Sequence, residues 1–129
     1  MNDDKEKTLR EKKIRAFERQ AKKVLRAAQA HGLEHDFYFS TVFDTFREQI
    51  HILSALSEKI WAHGVVIEKE YVKGRPNLCT NPAVQDFNKT ASAANGTVST
   101  LISIIKAFDK GDADKEGSKL DKLRAELGE

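Results

Sequence analysis

The sequence predicts an all-α protein: a long antiparallel helical hairpin preceded by a basic N-terminal helix, with a short extended, β-like connection between helices two and three and a mobile C-terminal tail. Three observations carry this reading. Apolar residues recur at steps of three and four in three separate stretches. Gly32 and Gly64 fall where the first two stretches end, as left-handed helix stops do. Residues 64–80 alone lose the helical period. At 129 residues the chain has the size of one domain. Its 33% charged residues, 8% aromatics and two prolines favour long exposed helices over a sheet protein. We divide it into a basic helix over 1–32, a hairpin oligomerisation core over 33–108 and an acidic flexible tail over 109–129.

The first helix is expected from about Lys5 to His31, because Ile14, Phe17, Ala21, Val24 and Ala28 form one apolar stripe. The second spans about Glu34 to His63, where Phe39, Val42, Phe46, Ile50, Leu53, Leu56 and Ile60 keep helical spacing. Glu34 and Asp36 are placed in its first turn, where carboxylates suit the helix dipole. Phe43 and Trp61 widen its apolar face, so it should be the most buried of the set. Between the hairpin helices, Gly64, Gly74, Pro76 and a run of β-branched residues indicate an extended connection, with room for a short strand pair over Val65 to Lys73.

The third helix opens at Asn81, whose side chain can cap free amides, with Pro82 at the first helical position, where its missing donor costs nothing. Val84, Phe87, Ala91, Ala94, Val98, Leu101, Ile105 and Phe108 then step by three and four, a seam made to pack lengthwise on another helix. Between Lys89 and Lys106 there is no charged residue, so Thr, Ser, Asn, Gly and Ala flank the seam. Gly96 in mid-helix costs about 1 kcal/mol relative to Ala, and the β-branched and polar flanks add to that weakness, so packing must hold the helix. Uncharged flanks imply neighbours on more than one side, and we read the seam as an oligomer interface. Beyond Phe108 the chain mixes Gly111, Gly117 and Gly128 with charge, leaving room for a short helix through Leu120, Leu123 and Leu127.

The net charge of +2 hides an asymmetry. Residues 5–31 hold ten bases against three acids, whereas from Asp109 onward seven acids face five bases. Lys12, Arg15, Arg19, Lys22 and Arg26 step by three and four, roughly opposite the apolar stripe, with Lys23 beside them. Such a ridge spans about 20 Å, enough to meet several phosphates of a duplex and release their counterions. A solvated face, or a surface for an acidic protein or membrane, are the other readings of a charge run. Phe17 belongs to the apolar stripe, so no aromatic platform for single strands accompanies the ridge, and among nucleic acids a double-stranded backbone is the better match.

No segment has the apolar length of a signal peptide or membrane span, and the lone Cys79 cannot form an internal disulfide, so an intracellular soluble protein without membrane contact is expected. His31 and His35 are four apart, but the break at Gly32 spoils a shared face, so no metal is expected. Cys79 has no local activating signature and no phosphate-cradling loop appears. Glu68 and Glu70 alternate with Lys69 as a solvated strand face does. The expectation is a protein that is not an enzyme and needs no cofactor.

The order of a long helix, a loop with Gly64 and Gly74, then Asn81-Pro82-Ala83-Val84 opening another long helix resembles the small subunit of tailed-phage terminases, over about Phe39 to Phe108. After this helix that family commonly continues into a Leu-Gly-Leu-Thr-Pro-like turn, where this chain reads Ala107-Phe108-Asp109-Lys110-Gly111. The resemblance implies a DNA-packaging component in the host-cell cytoplasm that assembles as a homo-oligomeric ring, engages viral DNA and hands it to a large subunit carrying ATPase and nuclease. The family often begins with a helix-turn-helix. Here one helix precedes Gly32, so phosphate contact rather than base reading is expected. The alternative is a small helical interaction module or regulator without a packaging role.

Overall fold

The computed structural model describes residues 2–72 and 74–126, with side chains placed for 5–68, 74 and 77–109. Three helices and one β-hairpin make up the chain: α1 (Asn2–Ala30), a 3-10 turn (Leu33–His35), α2 (Phe37–His63), β1 (Val66–Val72), β2 (Arg75–Thr80) and α3 (Pro82–Glu126). The all-α reading with an extended link between the hairpin helices therefore holds.

The α1 stripe closes onto the hairpin as expected. Ile14, Phe17, Val24 and Ala28 are buried and join residues of α2 and α3 in a single core. Phe17 sets its ring edge against Phe46 at 6.0 Å and 83°, an arrangement that aromatic quadrupoles favour. Near its start α1 lays Lys7 over the Trp61 ring at 4.3 Å, and Arg10 Nε donates to Ser57 Oγ at 3.4 Å. Past its end, His31 Nε2 meets Asp109 Oδ1 at 2.7 Å and the His31 ring lies against Phe108. Those four contacts run α1 antiparallel to α2 and parallel to α3.

Gly32 stops α1 with φ 68°, a conformation that glycine alone adopts without a Cβ penalty. The expected start of the second helix at Glu34 moves, because Leu33–His35 form a 3-10 turn and Asp36 is the N-cap. Its carboxylate accepts from Phe39 N at 2.9 Å, satisfying an amide that the helix cannot. Trp61 is 41% exposed and so does not widen the core as expected; it covers the Lys7 ammonium instead.

β1 and β2 pair antiparallel from Val66↔Thr80 to Val72↔Arg75, with an irregularity between Glu70 and Val72. The hairpin thus takes in more of the link than the expected Val65 to Lys73, and Lys73 lies outside the described residues. Asn81, 3% exposed, locks the link to the bundle. Its Oδ1 accepts from Ala83 N at 3.0 Å, its Nδ2 donates to Gly64 O at 2.8 Å, and its backbone N–H donates to Val65 O at 2.7 Å. One side chain therefore caps the start of α3 and ties down the end of α2.

α3 continues as helix to Glu126, well past the expected end at Phe108. Gly111 and Gly117 each cost about 1 kcal/mol of propensity, but no proline interrupts this stretch, and its Lys, Ala, Leu and Glu residues are good helix formers. Leu127, assigned to a short terminal helix, lies outside the described residues.

Candidate nucleic-acid interface

Lys12, Arg15, Arg19, Lys22, Lys23 and Arg26 are all exposed on the side of α1 that faces away from the core. The cause is the wheel itself. At about 100° per residue, burying Ile14, Phe17, Val24 and Ala28 turns these six cations outward. Among the described residues, no carboxylate lies within 4.0 Å of any of them. Two acids of the same helix border the ridge on its α2 side: Glu11 and Glu18 share a groove with Arg15, Ser54, Ser57 and Glu58, and Glu18 shares another with Lys22 and Arg47. The ridge is thus a line of cations that makes no close ion pair among the described residues and is bordered by acids along its α2 side.

Two further cations extend it, and neither was legible in the periodicity of α1. Arg47 of α2 lines an open groove with Lys22, Leu25 and Phe43, and Lys106 of α3 lines another with Lys23, Val24 and Ile102. Each belongs to a different helix, so only the packing brings it to the flank of the ridge. Lys106 is marked in the sequence as the end of the charge-free run of α3, but nothing there places it beside Lys23.

The eight seam residues of α3 are placed differently from the expectation. Phe87, Ala91, Ala94, Val98, Leu101 and Ile105 are buried in a single copy, in the core shared with α1 and α2. Val84 is half-buried and lines a groove with Leu9 and Arg10 of α1, and Phe108 is half-buried beside His31. The seam as an oligomer interface is therefore corrected: side chains already enclosed by two helices of their own chain have little accessible area left for a second copy.

The histidines are dispersed. His31 pairs with Asp109, while His35 approaches Glu34 at 4.0 Å. Among the described residues, no three His, Cys, Asp or Glu side chains come together as a metal ion would need. Cys79 is a half-buried free thiol on β2. Among the described residues, no helix is long and apolar enough to cross a membrane. In comparisons with protein-family models, characterised proteins and solved structures, nothing matches this chain.

Proposed function

We propose that this protein is a non-enzymatic, self-associating DNA-engaging component of a viral packaging apparatus, a terminase small subunit that acts in the host-cell cytoplasm and delivers DNA to a large ATPase and nuclease subunit. The observation that carries DNA contact is the line of six exposed cations on α1, none of them within 4.0 Å of a carboxylate among the described residues. The ridge attracts the duplex backbone through counterion release, a term that grows with each phosphate met and fades with salt. Arg15, Arg19 and Arg26 supply planar donors suited to bidentate phosphate contact, whereas Lys12, Lys22 and Lys23 act as point charges. Phosphate contact of this kind positions a duplex without reading its sequence. The packaging role comes from the resemblance over Phe39 to Phe108; the ridge supports DNA contact alone.

The test is fluorescence anisotropy with a labelled duplex over a salt series, for the native chain and for a variant carrying Arg15→Glu, Arg19→Glu and Lys22→Glu. Removing about three phosphate contacts lowers the slope of log K against log salt by about 2.7, and affinity at low salt falls at least a hundredfold. Unchanged affinity in the variant would falsify the DNA assignment. A second reading, a helical interaction module without a packaging role, is favoured by the side of the α2–α3 pair that faces away from α1, built mainly of threonine and aliphatic residues. It predicts DNA binding no stronger than a net charge of +2 allows.

A further inference from the structure

α1 packs on both α2 and α3, so its basic ridge has two flanks, and carboxylates divide them unequally. On the α2 flank, Glu11, Glu18 and Glu58 share a groove with Arg15, and Glu18 shares the next with Lys22 and Arg47. The exposed Asp44 stands one turn before Arg47 on the same helix. On the α3 flank, the groove that holds Lys23 and Lys106 is lined otherwise by Gln20 and by aliphatic residues of both helices. No carboxylate lines it.

Sequence and helical geometry extend the contrast along the bundle. α3 has no acid between Asp86 and Asp109. Asp86 lies about 160° around the helix from Lys106, and Asp109 faces His31 at 2.7 Å. On α1, Glu11 and Glu18 turn toward α2, so the acid that bounds the α3 flank is Glu6, in a groove with Lys13 and Asn88 near the start of the helix. From Lys13 to Lys23 the α3 flank is free of acids over roughly 15 Å.

The polar side chains of α3 on this flank differ from its threonines. Asn88, Ser92, Asn95 and Ser99 step by four, three and four toward Lys106, and all five residues are exposed. Both ends of the row are fixed on this flank, by Asn88 in the groove with Lys13 and by Lys106 in the groove with Lys23. Among the described residues, none of the four neutral side chains makes a hydrogen bond within the chain, whereas the hydroxyls of Thr97 and Thr100 donate to Ala93 O and Gly96 O. Free amide and hydroxyl donors beside cations are what phosphate oxygens accept from.

We propose, on the DNA reading above, that the duplex lies over the crest of the ridge and its α3 flank, with Lys106 as a phosphate contact from a second helix and Asn95 and Ser99 as neutral donors beside it. A polyanion responds to the sum of nearby charges. On the α2 flank, repulsion from Glu18 and Asp44 offsets the attraction of Arg47. On the α3 flank, Lys13, Lys23 and Lys106 attract without a carboxylate among them. Arg47 therefore borders the ridge without holding DNA.

The test is anisotropy with a labelled duplex over a salt series for the native chain, Lys106→Gln, Arg47→Gln and Ser99→Glu, with far-UV circular dichroism to check that helicity is kept. The two Gln variants each remove one exposed cation from a groove beside α1. Lys106→Gln is expected to weaken binding about fivefold at low salt and to lower the slope of log K against log salt by about 0.9, the value of one phosphate contact. Arg47→Gln is expected to change affinity by less than about twofold and to leave the slope unchanged. Ser99→Glu, which puts a carboxylate on the acid-free flank, is expected to weaken binding about tenfold or more. Equal effects of the two Gln variants, a larger effect of Arg47→Gln, or native affinity in Ser99→Glu overturns the inference. Any of these beside a sensitive Arg15, Arg19 and Lys22 triple variant leaves the DNA reading standing, whereas a native chain that binds no duplex overturns both.

Discussion

The outward side of α1 and the side of the α2–α3 pair that faces away from it both run most of the bundle's length, yet one carries six exposed cations and the other is built mainly of threonine and aliphatic residues, with Glu48 and Lys59 among them. Exposure alone therefore does not describe a surface. On α1, an excess of unpaired cations acts at a distance, is weakened by salt and suits a polyanion. On the hairpin, threonines whose hydroxyls donate to backbone carbonyls of their own helix act only on contact. The two surfaces lie on opposite sides of one core.

The strongest way to break that contrast is to remove the core that separates the faces. Phe46 is fully buried and meets Phe17 edge-on, so Phe46→Ala should lose about 3–5 kcal/mol, read from urea denaturation, and both faces should fail together. A smaller loss is expected at the junction. Asn81→Ala removes the α3 cap and the tie to Gly64 O, costing about 1–2 kcal/mol in the same measurement while leaving the ridge charges untouched. If this variant lost DNA affinity at a temperature where it is folded, the ridge would not be the independent surface described.

The smallest effect sharpens the comparison from the neutral side. Gly96 is helical, and a Cβ added there meets no atom within 4 Å. Gly96→Ala should therefore raise stability by about 0.5–1 kcal/mol, seen as a higher thermal midpoint, through a smaller loss of chain entropy on folding. DNA affinity should not change, because no charge moves.

Legibility differed from residue to residue. The α1 stripe from Ile14 to Ala28, the stop at Gly32 and the Asn81-Pro82 start were readable because each depends on local geometry: the helical period, a positive φ and a free amide. The six ridge cations were readable for the same reason, since burial of the stripe dictates where the opposite face points. Asp36 as the cap was half-legible: a carboxylate near a helix start is a general signal, but the 3-10 turn that moves the start past Glu34 is not encoded in any period. Trp61 was misread because apolar spacing cannot distinguish a core ring from one that lies under a lysine ammonium. The end of α3 was set too early because glycine lowers helix propensity without forbidding the helix.

By itself, the sequence determined three amphipathic rods, the turns between them and the segregation of charge, because period, capping and charge are properties of neighbours along a chain. Only the tertiary structure decided that α1 lies antiparallel to α2, that the seam of α3 is spent inside one copy, and that Arg47 and Lys106 flank the ridge. The physical reason is that a helix can be apolar toward two neighbours at once. Which neighbour takes which flank depends on how three surfaces share one core, and no single helix carries that information.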